Sequence, residues 1–534
     1  MRSLCATIAI GLVTAGSAAA ERPKDVAIPA GHVLPAEYLA SLRAPAFAPG
    51  HTLPRLTRYG SVLDFDTRVE FARRWGYALE WGTLTWQNSY ATKDAVDLAL
   101  SDANSDSAKC MRLAAEQPDT FKLAVTCCRD LPARDSVPPE TWTRDAQGRF
   151  LVSENYGQDG NTWGDSAREI YSPLAPDSVW REAGRLRAEQ LARIGKVCPI
   201  AIVLNGGEYG LGVAGAGRPY WEKDPAIVAA KGDRPWHEVA SQAKGRAETL
   251  VADAVRQAVP DRQLYILYTC SGGARRNLPG SMDWSHGFDH LAAASDLPSG
   301  EFYYRMANSG WTGEHDMLTL ALNARGPEIA LGRPLCYHWL TAGHEGNRGS
   351  FGGEQDTEGD KGLGDIDRYR GFLTCLYVSG MVGGNAGYYI FPQGYEGTSL
   401  AGFRQPFPPE RPPHWLLQMI ALADVHATFS HLERYLRDGD LLPGPARHRV
   451  SKDQPAYEFP TGTPARVLVR RLKAEPRWLV AAWAADGVAR DVTVEVPQLG
   501  KITLAARARG TLAEARPGTN GPIVEAINPE GTKR

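Results

Sequence analysis

Two glutamates in this sequence stand where a carboxylate can do acid–base work. Glu208 lies in "AIVLNGGEYG" (201–210), an apolar run of β-strand type that ends in Asn205, two glycines and then the acid. Glu345 lies in "TAGHEGNRG", just after another apolar run, "PLCYHWLT" (334–341). Hydrolysis of a glycosidic bond needs one carboxylic acid to protonate the leaving oxygen and a second carboxylate to attack the sugar or activate water. The acid must keep its proton near neutral pH, through burial or a neighbouring carboxylate. The second group must stay ionised, and His344 and Arg348 lie close enough in sequence to Glu345 to favour that state. Gly343 and Gly346 let the backbone turn sharply around it. Glu354 and Asp356 in the same glycine-rich stretch are alternatives for this role. The competing reading for each carboxylate is a solvated loop charge.

Other candidates cluster in the same manner after apolar runs. "YALEWGTLTWQNSY" supplies Glu80, Trp81, Trp86 and Asn88, and Asn205 precedes Glu208. Further along stand Trp284 and His286, then Tyr304 and Trp311, then His338 and Trp339. Indole faces stack on the apolar faces of sugars, and the polar side chains suit sugar hydroxyls. His338 and Trp339 alternate along one strand, so only one of them faces a given side. Asp283, His286, Asp289 and His290 in "DWSHGFDH" admit a weaker reading as a metal-dependent hydrolase. No CxxC pair occurs, and the single His-x-x-x-His spacing, His286 and His290, belongs to that weaker reading, so the expectation is no metal and no cofactor.

The elements that would position these residues alternate. Expected strands are 61–66, 77–82, 121–128, 199–206, 263–270, 301–307, 334–341 and 386–392. Amphipathic stretches of helical period fall between them, including 177–195, which opens on Asp177 and Ser178 as an N-terminal cap, 236–259 and 365–381. Eight strands with crossovers over about 350 residues predict an α/β fold, a (β/α)8 TIM barrel with long loops. A doubly wound open sheet is the alternative, but no glycine-rich nucleotide turn follows an early strand. From residue 465 the pattern changes to short alternating strands without helices, which predicts a small C-terminal antiparallel β-sandwich. The expected organisation is therefore a signal peptide (1–20), an extended arm (21–57), the barrel (58–440), a linker (441–464) and the β-sandwich domain (465–534).

With glutamates after strands four and seven, a small β-domain behind and an export signal in front, residues 58–435 resemble a retaining glycoside hydrolase of clan A. The resemblance implies Glu208 as the acid/base and Glu345 as the nucleophile. Clan members usually carry an Asn directly before the acid/base, whereas Asn205 stands three residues before Glu208. The implied activity is hydrolysis of a β-linked oligo- or polysaccharide. A non-catalytic carbohydrate-binding barrel is the alternative.

Composition agrees with a carbohydrate partner. The net charge is −2, and no basic block points to nucleic acid. Fourteen Trp and twenty Tyr are a rich aromatic supply that can stack on sugars or fill a core; most of the Trp are expected to be structural, and about a third are candidates to line a site. Arg2, the run "ATIAIGLVTAG" and the small residues before Glu21 read as a cleavable signal peptide, which predicts a secreted or periplasmic protein without membrane insertion. Cys5 lies in that leader, and the other seven cysteines leave at least one thiol unpaired. Two core thiols are expected at Cys127 and Cys128. Nothing in the sequence indicates an oligomeric state.

Overall fold

The computed structural model describes residues 28–58, 63–82, 90–127, 132, 134–152, 170–205, 220–267, 288–302, 314–340, 366–386, 404–442 and 457–527. Nine of its strands run parallel: β1 (Thr57–Arg58), β2 (Leu79–Glu80), β3 (Tyr90–Ala91), β4 (Leu123–Cys127), β5 (Ile200–Asn205), β6 (Leu264–Leu267), β7 (Glu301–Phe302), β8 (Cys336–Leu340) and β9 (Met381–Ala386). They form two sheets. One has the order β2-β4-β5-β6, with β3 also paired to β4. The other has the order β1-β9-β8-β7.

Residues just before strands of the second sheet are hydrogen-bonded to the first at both margins. Leu56, just before β1, makes a parallel bridge to Tyr77, just before β2. The Ala78 amide donates to the Leu56 carbonyl at 2.7 Å. At the other margin the Asp296 amide donates to the Tyr265 carbonyl of β6 at 2.9 Å. The Asp296 carboxylate in turn accepts from the Tyr265 amide at 2.7 Å.

Alternation along the strands creates two layers. Leu79, Leu123, Val125, Ile200, Val203 and Tyr265 pack with helical residues such as Val96, Leu191 and Val255. The opposite face gathers Ala78, Ala124, Ile202, Leu204 and Ile266 from the first sheet with Tyr337 and Trp339 from the second. This second set, here termed the central face, is a core shared by the two sheets. Gly383 sits in register with Tyr337, and a Cβ there would lie 2.7 Å from the tyrosine ring. Glycine therefore makes room for an aromatic ring on the central face.

Two expected strands shift. Residues 65 and 66 begin the helix Phe65–Arg74, because the Asp64 carboxylate caps it by accepting from the Thr67 amide at 2.9 Å. The first strand lies earlier, at β1. The last parallel strand is β9, and of the expected run 386–392 only Ala386 falls within the described residues. Its Gly383-Gly384 step mimics a turn in sequence, yet both glycines are buried in the sheet. The helices Asp177–Gly195 and Trp236–Ala258 fall where the periodicity placed them. The first of them has Pro176 at its N-cap position and no side-chain cap, so the expected Asp-Ser cap is not formed.

The C-terminal part is antiparallel. β10 (Gly439–Leu442), β11 (Ala465–Leu472), β12 (Trp478–Ala484), β15 (Thr511–Arg516) and β16 (Ile523–Ala526) form one sheet in that order. β13 (Arg490–Val496) and β14 (Gly500–Ala506) form a separate hairpin. Val467, Val469, Val480 and Ala482 of the sheet meet Val492, Val494, Ile502 and Leu504 of the hairpin. The other face of the sheet packs on the helix Ile366–Ser379, where Trp483 contacts Phe372 and Gly371. Burial on both faces explains why β11 and β12 read as nearly continuous apolar runs. β10 spans the expected boundary at 441, so the sheet begins before the expected linker.

A buried arginine fixes this unit to the helix that precedes β9. Arg470 of β11 donates to the carbonyls of Tyr435 at 2.9 Å, Val378 at 3.0 Å, Leu436 at 3.2 Å and Gly439 at 2.8 Å. Arg325 reaches the same helix end through the Ser379 carbonyl at 3.1 Å and pairs with Glu328. Gly380 follows with φ +120°, and a Cβ on it would lie 2.4 Å from the Pro334 carbonyl oxygen. Two cations at the negative end of a helix dipole are favourable. They lock the turn from which β9 departs. Arg470→Ala should therefore lower the unfolding free energy by about 3 kcal/mol or more, because four carbonyls lose their donor in a buried site. Urea unfolding monitored by tryptophan fluorescence checks this, and an unchanged midpoint would refute the joint.

Candidate functional site

The carboxyl ends of the parallel strands carry the polar side chains of the central face. β2 ends in Glu80, which is in register with Ala124 of β4, itself in register with Ile202. Both partners belong to the central cluster, so the Glu80 side chain shares that face. Asn385 of β9 is in register with Trp339 and with Thr57. The Thr57 hydroxyl lies 2.8 Å from the Tyr337 hydroxyl in a buried hydrogen bond, which places Asn385 on the central face as well.

Glu80 is 7% exposed, and neither carboxylate oxygen has a side-chain hydrogen-bond partner among the described residues. Burial pushes its pKa up to about 8, opposed by the charges of Arg58 and Arg68 and by the nearby Arg58 amide. Desolvation wins here, so the group is neutral at pH 7. Arg68 spans the end of β2 from the helix side. It donates to the Glu80 carbonyl at 3.1 Å and the Gly82 carbonyl at 3.0 Å, and it pairs with Asp106 at 2.9 Å. These bonds hold the backbone that presents Glu80. Burial also pulls the Arg58 guanidinium down to about 10.

The remaining sequence candidates divide by layer. Trp339 packs in the central cluster. Trp81 lies on the opposite side, among Val69, Ala72, Cys110 and Met111 under the helices. His338 also faces away from the central cluster, where its Nε2 lies 3.1 Å from the Cys336 sulfur and its ring meets Phe302 edge-on at 4.5 Å. Burial drives its pKa far below the usual value, so it is neutral. Asn205 turns to the helix layer too. Its amide donates to the Tyr265 hydroxyl at 2.7 Å and to Glu248 at 3.1 Å, and Lys244 lies 3.4 Å from the same carboxylate. Alternation alone separates these four residues into two layers, and their spacing in sequence does not say which layer is which.

Glu208, Glu345, Trp86, Asn88, Trp284, His286, Tyr304 and Trp311 lie outside the described residues, as do Glu354, Asp356, Asp283, Cys128 and Cys270. Cys110, Cys127, Cys198, Cys336 and Cys375 are buried free thiols. Burial raises the pKa of each, which suits inert core sulfur. Among the described residues no group of three or more His, Cys, Asp or Glu is arranged to hold a metal ion. None of the described helices is long and apolar enough to cross a membrane. Asn385 was not a sequence candidate. The signal available was an amide in the stretch 381–386, which lay outside the expected last strand of 386–392.

No protein-family model matches the chain, and no curated protein matches it. Solved structures of low identity do. An α-amylase from Lactobacillus plantarum is 13% identical over 86% of this chain and 97% of its own, with a TM-score of 0.41. An Anoxybacillus α-amylase is 12% identical over 85% of this chain and 91% of its own, with a TM-score of 0.45. A GH36 α-galactosidase from Geobacillus stearothermophilus is 11% identical over 92% of this chain and 57% of its own, with a TM-score of 0.41.

The raised pKa of Glu80 has a consequence for stability. The unfolded chain ionises this group near the ordinary value of 4.5, whereas the folded chain holds the proton to about 8. Its contribution is full below the lower value and is lost as pH rises toward the upper one, by up to about 1.4 kcal/mol per pH unit. Glu80→Gln should remove that slope. The variant should gain stability relative to the wild type between about pH 5 and pH 8, measured by urea midpoints, and parallel curves would contradict the buried neutral acid.

Proposed function

We propose that this chain is an exported glycoside hydrolase that cleaves a β-linked oligo- or polysaccharide at the carboxyl ends of a (β/α)8 barrel. β2 and β3 lie one after the other along β4, so nine parallel strands make eight positions. The joints at Leu56–Tyr77 and Tyr265–Asp296 support reading the two sheets as halves of one closed barrel. In that architecture active residues stand on the loops after the strands. A signal peptide over residues 1–20 would carry the protein out of the cytoplasm.

In this reading Glu208, three residues after the last residue of β5, is the acid/base, and Glu345, five residues after the last residue of β8, is the nucleophile. The observation that carries the proposal is Glu80. A buried carboxyl group without a side-chain hydrogen-bond partner, on the central face at a strand's carboxyl end, is a costly arrangement that a bound ligand would relieve. Glu208 would protonate the leaving oxygen while Glu345 attacks the sugar, and a covalent glycosyl intermediate would then be hydrolysed with Glu208 as base. Glu80, Trp339 and the aromatic candidates after the strands would hold the ring.

Glu208→Gln should fold normally and lose about 10²–10⁴-fold in turnover. Glu345→Ala should abolish hydrolysis, and azide should restore turnover with a product of opposite anomeric configuration. An inverted product from the wild type, or full activity in either variant, would overturn these roles.

A further inference from the structure

We propose that Glu80 and Asn385 form a neutral, hydroxyl-reading pair that binds neighbouring hydroxyl groups of one sugar ring, with Glu80 acting as a hydrogen-bond donor and not as a catalytic acid or base. The inference deepens the glycosidase reading and rests on it for the identity of the ligand as a sugar.

Geometry carries it. The two side chains flank β1, one from β2 and one from β9, and register puts both on the central face. Asn385 is 1% exposed, and its amide oxygen and nitrogen both lack a partner among the described residues. Glu80 likewise lacks a side-chain partner among them. Thr57 on this face is paired internally, with Tyr337. Polar side chains buried on one face, from the strands either side of β1, are costly to leave unmet. A vicinal diol offers donors and acceptors to both. Asn supplies one donor group and one acceptor, and a protonated carboxyl supplies the same. An ionised carboxylate supplies acceptors only.

The surroundings favour the protonated state. Arg58 from β1 and Arg68 from the helix Phe65–Arg74 are the charged groups that face Glu80. Arg68 is already paired with Asp106. Cys110 and Tyr337 also lie within its field, and both are held neutral by burial, the thiol being pushed up to about 11. Burial outweighs the two arginines, and the proton stays on Glu80 until about pH 8. Above that pH the donor is lost.

The test uses the full chain with glucose, galactose, mannose and xylose as probes, titrated by calorimetry at about pH 6.5 and pH 9.5. The wild type should bind at least one of them at the lower pH and lose about tenfold in affinity at the higher. Glu80→Gln, which keeps a neutral donor, should bind within a few-fold of the wild type at the lower pH and show no pH-dependent loss. Glu80→Ala and Asn385→Ala should each lose about tenfold or more while keeping the wild-type circular dichroism. The pair is overturned if the wild type binds none of these sugars, if both alanine variants bind as the wild type does, or if Glu80→Gln binds as weakly as Glu80→Ala. Hydrolysis of aryl glycosides, measured in parallel, separates the two claims. Sugar binding with the expected variant pattern but no hydrolysis leaves the pair standing and removes the glycosidase reading. Hydrolysis that is indifferent to both alanine substitutions does the reverse.

Discussion

The parallel strands are buried on both faces, and the two-residue period of a strand must then sort every side chain into one of two apolar layers. The rest of the structure follows from that sorting. The helix-facing layer takes the residues that pack under helices, including Trp81 and Tyr265. The central layer takes small and medium residues low on the strands, such as Ala78, Ala124 and Ile202. Polar residues are tolerated in it where they pair, as Thr57 and Tyr337 do, or at the carboxyl ends, where Glu80 lies. A one-residue slip of β2 would exchange Glu80 with Trp81 and put the carboxylate under the helices. Arg68 guards against that slip by binding the Glu80 and Gly82 carbonyls.

Buried charge is handled in two different ways. Arginines are buried with many backbone carbonyls around them. Arg470 has four, and Arg325 combines carbonyls with Glu328. Guanidinium groups suit this because their five donors fan out in a plane and their charge is spread. These arginines are structural: they close the helix end before Gly380 and tie the antiparallel sheet to β9. Glu80 is treated oppositely. Its oxygens are buried without a side-chain donor, and the protein avoids the cost of a naked charge by keeping the proton. Glu328 stands between the two cases. Burial pushes its pKa up to about 7 even though Arg325 beside it pulls the other way.

The antiparallel sheet bears on the central face through a short physical path. β11 holds Arg470, Arg470 holds the carbonyl of Val378, and two residues later Gly380 turns the chain into β9, which carries Asn385. Its close packing on the helix Ile366–Ser379, where Trp483 leaves room only for glycine at position 371, makes this a rigid connection. The small β unit therefore braces the strand that presents one half of the proposed sugar-reading pair.

Local sequence determined the alternation of strands and helices and the change to antiparallel strands near residue 465, because apolar periodicity and capping are short-range properties. It also determined which residue types could do chemistry. It misplaced the first and last parallel strands, since a two-residue strand such as β1 has no period to detect and Gly383-Gly384 looks like a turn until Tyr337 fills the space above it. Only the tertiary structure decided which face each candidate takes. Asn205 and His338 look as suited to a ligand as Asn385 does, but register turns the first two toward helices and neighbouring sulfur and the third toward the centre. Only the tertiary structure, too, decided that Glu80 is a neutral acid. Its protonation depends on the exclusion of water by strands far apart in sequence, a long-range property that no stretch of chain encodes alone.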